Sequence, residues 1–196
     1  MPDTPIPLHQ IRAVHDAETI RVYQAYSDAI ADTALAHGRF VSPPFKMDRM
    51  TWVKPSFLWM MYRAGWGRKD DGQRRILAID ITHEGFAWAL AHSCPSYPQP
   101  GWSAEQWQRI KAASPVRIQW DPERNLRLEP LPHRAIQIGL SGEAVERYVA
   151  RWTRSITDAT PLAHRIHGLV LAERWDDARA ELPRESVYVS ISPSRD

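Results

Sequence analysis

RILAIDI, Arg75 to Ile81, is the stretch that decides how this chain is built. Ile76, Leu77, Ala78, Ile79 and Ile81 leave it almost no polar face. A strand that is apolar on both sides must be covered on both, so this one is predicted to be central, with other elements packed above and below it. The turn KDDGQ leads into it, and HEGFAWALAH leads out as a short helix.

Upstream, Thr19 to Ala25 is β-branched and aromatic enough for a strand, and Ser27 is placed to cap the helix DAIADTALAH, which Gly38 stops. After SPPF comes a short strand, Met50–Val53. Pro55 fits the first position of a helix PSFLWMMYRA that Gly65 closes. On that helix Trp59, Tyr62 and Trp66 share one face, and Phe57, Met61 and Ala64 another, so most of its aromatic mass belongs to a core.

Downstream, SCPSYPQPG (93–101) reads as an irregular loop and WSAEQWQRIKAA as a further helix. VRIQW alternates, with Val116, Ile118 and Trp120 opposite Arg117 and Gln119, and DPERN then reads as a turn. HRAIQIGL alternates again, with Ile136, Ile138 and Leu140 opposite Ala135, Gln137 and Gly139. Ser141 is placed to cap a long amphipathic helix with the stripe Val145, Tyr148, Val149, Trp152 and Ile156. Thr160–Pro161 opens another helix, and VYVSI reads as a last strand. The order of elements predicts a single α+β domain over residues 11–196, a mixed central sheet with flanking helices, behind a flexible, proline-spaced tail at residues 1–10.

With 196 residues, 43 % hydrophobic and 24 % charged, the chain has the composition of a globular domain large enough for a full core. The lone Cys94 excludes an internal disulfide and fits a reducing compartment. No apolar run approaches a membrane span, and MPDTPIPLHQ lacks the pattern of a secretory signal, so a cytoplasmic location is expected. A formal charge of +2 does not require nucleic acid but leaves room for a basic cleft.

The residues that could carry chemistry cluster in TWVKPSFLWMMYRAGW, Thr51 to Trp66. Trp59 or Tyr62 would offer a face to a flat ligand, and Lys54 and Arg63 would meet phosphate oxygens, although Arg63 equally fits a structural ion pair at a helix end. Arg12, His15, Arg21, Arg39, Arg117 and Arg134 interleave with aromatics, the mixture that a nucleotide or single strand needs. Glu143 and Glu146 fall in a helix's first turn, where they offset its dipole. His164 and His167 lack a supporting carboxylate or cysteine for metal, and Cys94 with His92 makes a poor nucleophile–base pair. There is no Walker loop, Rossmann glycine fingerprint or nucleophile elbow.

WVKPSFLWMMYRAGW, VRIQWDPER, RAIQIGLSGEAVERYV and DATPLAHRIH resemble the signature stretches of a bacterial and fungal family, domain of unknown function 4291, over nearly residues 10–185. That resemblance brings no established activity with it. More remotely, VYQAYSDAIADTALAHGRF looks like the first catalytic strand of the ADP-ribosyltransferase fold, in which a strand ending Tyr-His-Gly-Thr or Tyr-Arg-Gly enters a short helix and a Gly-aromatic turn. This likeness implies NAD as substrate. It puts Gln24 where that fold's His or Arg contacts ribose and nicotinamide amide, an aromatic such as Tyr62 or Trp59 against nicotinamide, and Gln137 in place of the late-strand Glu or Gln. It implies a cleft between the strand end at Tyr23 and Tyr26 and the segment holding Trp52, Lys54, Trp59 and Arg63, with a nucleic acid end or base as acceptor. A plain strand–helix corner and a non-catalytic module binding nucleotide or nucleic acid remain the competing readings.

Overall fold

The computed structural model describes residues 6–189. Its strands divide between two sheets and a short ribbon. In the first sheet, β4 (Arg75–Thr82) lies between β2 (Thr19–Tyr26) and β8 (Thr153–Asp158), both antiparallel to it. The second runs β3 (Thr51–Val53), β7 (Pro130–Leu140), β6 (Val116–Arg124), β5 (Ser93–Pro95), antiparallel except for the parallel pair β5 and β6. The ribbon pairs β1 (Arg12–Ala13) with β9 (Ser186–Val187). Among the described residues the α-helices are α1 (Asp28–His37), α2 (Phe57–Ala64), α3 (His83–Ala91), α4 (Ala104–Ala113), α5 (Glu143–Arg147), α6 (Thr160–Leu171) and α7 (Trp175–Ala180). The α+β class is as expected; the single central sheet is not, because β2 and β3 pair with different partners.

The two apolar faces of β4 account for two cores. Leu77, Ile79 and Ile81 pack with Val22, Phe86, Ile138, Val145 and Tyr148, while Ile76 and Ala78 pack with Tyr23, Phe57, Met60, Met61, Ala163 and Ile166. Asp80, the polar interruption, takes a bidentate pair from Arg21 directly across the ladder at 2.7 and 2.9 Å, and Ser155 Oγ also donates to it.

Four local expectations need correction. Pro55 stands one residue outside α2: Ser56 is the N-cap, its Oγ accepting from Trp59 N. The Ser93–Gly101 segment is not wholly irregular, since Ser93–Pro95 pairs with β6. DPERN is mostly strand; β6 runs to Arg124 with an irregularity at Pro122, which has no N–H to give the ladder, and the reversal falls instead at Asn125–Glu129. The long helix after Ser141 is broken. It runs as α5, passes through a π-helical turn over Tyr148–Trp152, and becomes β8 with Ile156 opposite Ile79.

That break has a packing cause. Trp152 lies against Gly85 so closely that a Cβ there would sit 2.3 Å from its ring, and beyond it a segment with β-branched Thr153, Ile156 and Thr157 finds the open edge of β4. Ser27 stands at the expected N-cap without a side-chain cap bond, and Gly38 and Gly65 close α1 and α2 in the left-handed conformation. Arg134 N donates to Leu8 O, and His9 stacks on Trp120, so this part of the predicted tail lies along β7 and β6. Residues 1–5, and Ser190 and Ile191 of VYVSI, lie outside the described residues.

Candidate functional site

Strand alternation builds the site. In the second sheet Val53, Val116, Ile136, Ile138 and Leu140 turn to the core. The register sets Gln119 opposite Gln137 and Trp52 opposite Gly139, so Trp52, Lys54, Gln119, Asp121 and Gln137 share the other face. Only glycine fits at 139, because a Cβ would lie 2.9 Å from the Trp52 ring and 3.0 Å from Met50 Sδ. The backbone of β7 thereby seats the Trp52 indole.

Helix α2 forms one wall above this face. The Trp59 and Tyr62 rings stack at 5.2 Å and 21°, and the Arg124 guanidinium lies 3.7 Å from the Tyr62 centroid. Trp59 is buried, with its Nε1 lacking a partner among the described residues, whereas Tyr62 is 41 % exposed. Together with Lys54, Arg63 and Pro122, these residues enclose a cavity of about 550 Å³. A second cavity of about 480 Å³ adjoins it, lined by Gln24, Tyr26, Lys46, Arg49, Thr51 and Asp70 among others, and Trp52, Lys54 and Arg63 line both. The site is thus a two-chambered cleft with those three residues at its waist.

Asp121 is the carboxylate of the first chamber. Gln119 Nε2 donates to its Oδ1 at 2.8 Å and Gln137 Nε2 to its Oδ2 at 2.7 Å. Lys54 faces it across the waist with 6 % exposure. Burial, then the neighbouring Arg63 charge, pull its ammonium down to about 7, Asp121 opposing them. Lys54, Arg63 and Asp121 take part in no ion pair among the described residues. The ion-pair reading of Arg63 is therefore set aside.

Gln24 is committed internally. Its Nε2 donates to Thr51 Oγ1 and Trp52 O, both at 3.3 Å, and its Oε1 accepts from Tyr148 at 2.7 Å. Burial raises the Tyr26 phenol, which lies 3.1 Å from Thr51 Oγ1. Tyr23 lines neither chamber: its ring is buried edge-on against Phe57, and its hydroxyl has no partner among the described residues. The expectation that Tyr23 binds a ligand is corrected, because its position on β2 faces the second core.

Beneath α2 two more carboxylates are buried. Ser56 Oγ donates to Glu123 at 2.8 Å and Phe57 N to Glu185 at 2.7 Å, so both sit at the positive end of the helix. Burial raises both, Glu185 to about 8.

Eight of the nine expected site residues therefore line the cleft: Gln24 and Tyr26 in one chamber, Trp59, Tyr62 and Gln137 in the other, and Trp52, Lys54 and Arg63 between. Sequence reasoning missed Gln119, Asp121, Arg124, Lys46 and Arg49. For Gln119 and Asp121 a signal existed, since the alternation of VRIQW continues through Asp121. The described residues contain no His/Cys/Asp/Glu cluster suited to metal and no helix long and apolar enough to cross a membrane.

No curated protein matches the chain. The family model described as Domain of unknown function (DUF4291) matches residues 10–188, and the chain belongs to that family.

Proposed function

We propose that the cleft binds NAD and that the chain is an ADP-ribosyltransferase-like domain acting on the bond between ribose and nicotinamide. The observation that carries this reading is the meeting, on one sheet face, of a stacked aromatic wall, unpaired cations and a carboxylate held by two amides. Trp52 and Tyr62 supply faces for the nicotinamide ring, and Arg63, with Lys46 and Arg49 in the adjoining chamber, supplies cations for the pyrophosphate. As the glycosidic C–N bond lengthens, positive charge grows on the ribose carbon and nicotinamide leaves with the bonding pair. Asp121 offers the negative charge that offsets it, and Gln119 and Gln137 orient that carboxylate. Gln137 is then a positioning residue. Gln24 holds β2 to β3 and shapes the chamber wall. A nucleic acid end or base, drawn by the same cations, is the acceptor.

The competing reading, a non-catalytic nucleotide or nucleic-acid binder, is favoured by one observation: both N–H groups of the Gln24 amide and one acceptor position of its oxygen are taken up by internal bonds. Nicotinamide release from NAD, with and without single-stranded DNA or RNA, decides between them. Release that falls on the order of 100-fold in Asp121→Asn supports the transferase. Absence of release with retained, salt-dependent ADP-ribose or oligonucleotide affinity supports the binder. Absence of both overturns the assignment of the cleft to nucleotides.

A further inference from the structure

We propose that Lys54 is a nucleophilic amine, and that the waist of the cleft captures a carbonyl compound bearing an anionic group by forming an imine with it. This goes beyond NAD chemistry and uses a group that the preceding reading leaves idle. Lys54 follows β3 at the join of the two sheets, where its backbone is fixed on both sides: Tyr23 N donates to Lys54 O at 2.7 Å, and Lys54 N to Tyr23 O at 3.2 Å. Its side chain lines both chambers and has no ion-pair partner among the described residues. A lysine in such a place usually neutralises a carboxylate; this one keeps 6 % exposure and opens onto the cleft instead.

A buried lysine beside another cation is the arrangement that makes an amine nucleophilic near neutral pH. Arg63, from α2, supplies the cation, and Asp121, from β6, the nearby carboxylate. Lys46, Arg49 and Asp70 are the other charged groups that line the second chamber, and Arg124 is the other one in the first. With its pKa pulled to about 7, Lys54 is about half free amine at neutrality, roughly 1,000-fold more than an ordinary exposed lysine.

The step balances without a further reagent. The Nζ lone pair attacks the carbonyl carbon, and a proton passes from nitrogen to oxygen to give the carbinolamine. The protonated oxygen then leaves as water, and the C=N bond forms. Asp121, whose charge acts on Lys54, is placed to carry that proton. Arg63, Arg49 and Lys46 would hold the anionic group, which favours a phosphorylated aldehyde or ketone over a neutral one.

The test uses the full chain with pyridoxal 5′-phosphate, trapping with borohydride, and peptide mapping by mass. Lys69 and Lys111 are exposed, line neither chamber and serve as internal controls. The lower basicity of Lys54 offsets part of its free-amine advantage, so it is expected to label on the order of 30-fold faster than Lys69 and Lys111 at pH 7, with a rate that levels above about pH 7. Pyridoxal without phosphate should label it more slowly, and inorganic phosphate should compete. Lys54→Met should remain folded by circular dichroism and lose the fast phase. Labelling of Lys54 no faster than the exposed lysines, or a fast phase that persists in Lys54→Met, overturns the proposal. No NAD enters the experiment, so its result is independent of nicotinamide release.

Discussion

Arg124 lies over Tyr62, its guanidinium carbon 3.7 Å from the ring centroid, and Tyr62 in turn stacks on Trp59. The three side chains form a stack that starts in the core at Trp59, passes through exposed Tyr62 and ends at half-buried Arg124. Tyr62, its exposed member, costs little to remove, yet it forms part of one wall of the first chamber.

Tyr62→Ala should therefore separate binding from stability. With 41 % of the ring exposed, the loss in denaturant-derived stability should stay near 1 kcal/mol, of the order of a cation–π contact and some packing. Phe57→Ala, from the buried face of the same helix, should cost about 3–5 kcal/mol. ADP-ribose affinity by calorimetry should fall in the first variant. A loss at Tyr62 as large as at Phe57, with affinity unchanged, would make Tyr62 a core residue and nothing more.

Gly139→Val should damage the site from beneath. The new side chain meets Trp52 at 2.9 Å and must push the indole away, at a cost of about 1–3 kcal/mol for overpacking. Tryptophan emission should shift to the red and ligand affinity should drop. Unchanged emission would show that Trp52 does not rest on the strand.

The buried carboxyl of Glu185 gives a pH signature. Its pKa is raised from 4.5 to about 8, so the folded state holds a proton that the unfolded state releases. The stabilisation is complete below about pH 4.5 and is lost as pH rises from there through about 8, at up to about 1.4 kcal/mol per unit. Glu185→Gln should flatten the stability profile over that window, as read by urea midpoints from pH 5 to 8.5.

Lys54 works in the opposite sense. Its pKa falls from 10.5 to about 7, so the folded state holds fewer protons and ionisation destabilises it. The penalty is complete below about pH 7 and is relieved as pH rises from there towards 10.5. Lys54→Met should raise the melting temperature at pH 6 more than at pH 10. Equal shifts at both values would mean that packing, not charge, explains the gain.

The legible part of this fold was the part written in hydrophobic patterning. VRIQW and HRAIQIGL show their faces because burial selects every second residue, RILAIDI is apolar throughout because both its faces are buried, and each became an inner strand. Gln137 was legible for the same reason. Asp121 was legible only by carrying the alternation of VRIQW one residue further, against Pro122 and the charges after it, which look like a turn and are held extended by pairing with β7. The stripe from Val145 to Trp152 has helical spacing, but nothing local announces that Trp152 will lodge over Gly85 and that the chain will turn to strand. Tyr23 and Gln24 illustrate the remaining limit. They are neighbours on one strand, and which of them meets the cleft depends on which core each face covers.

The reciprocal bonds between Tyr23 and Lys54 join main chain to main chain, so they make no demand on what residue 54 carries beyond Cα. The seam of the molecule and the head group at its centre are thus separable. A substitution at 54 other than proline leaves both main-chain bonds in place and alters the chemistry of the cleft without renegotiating the fold. Any parting of the two sheets, conversely, would be felt first at that head group, which makes position 54 a natural place for a spectroscopic reporter of how the cleft breathes.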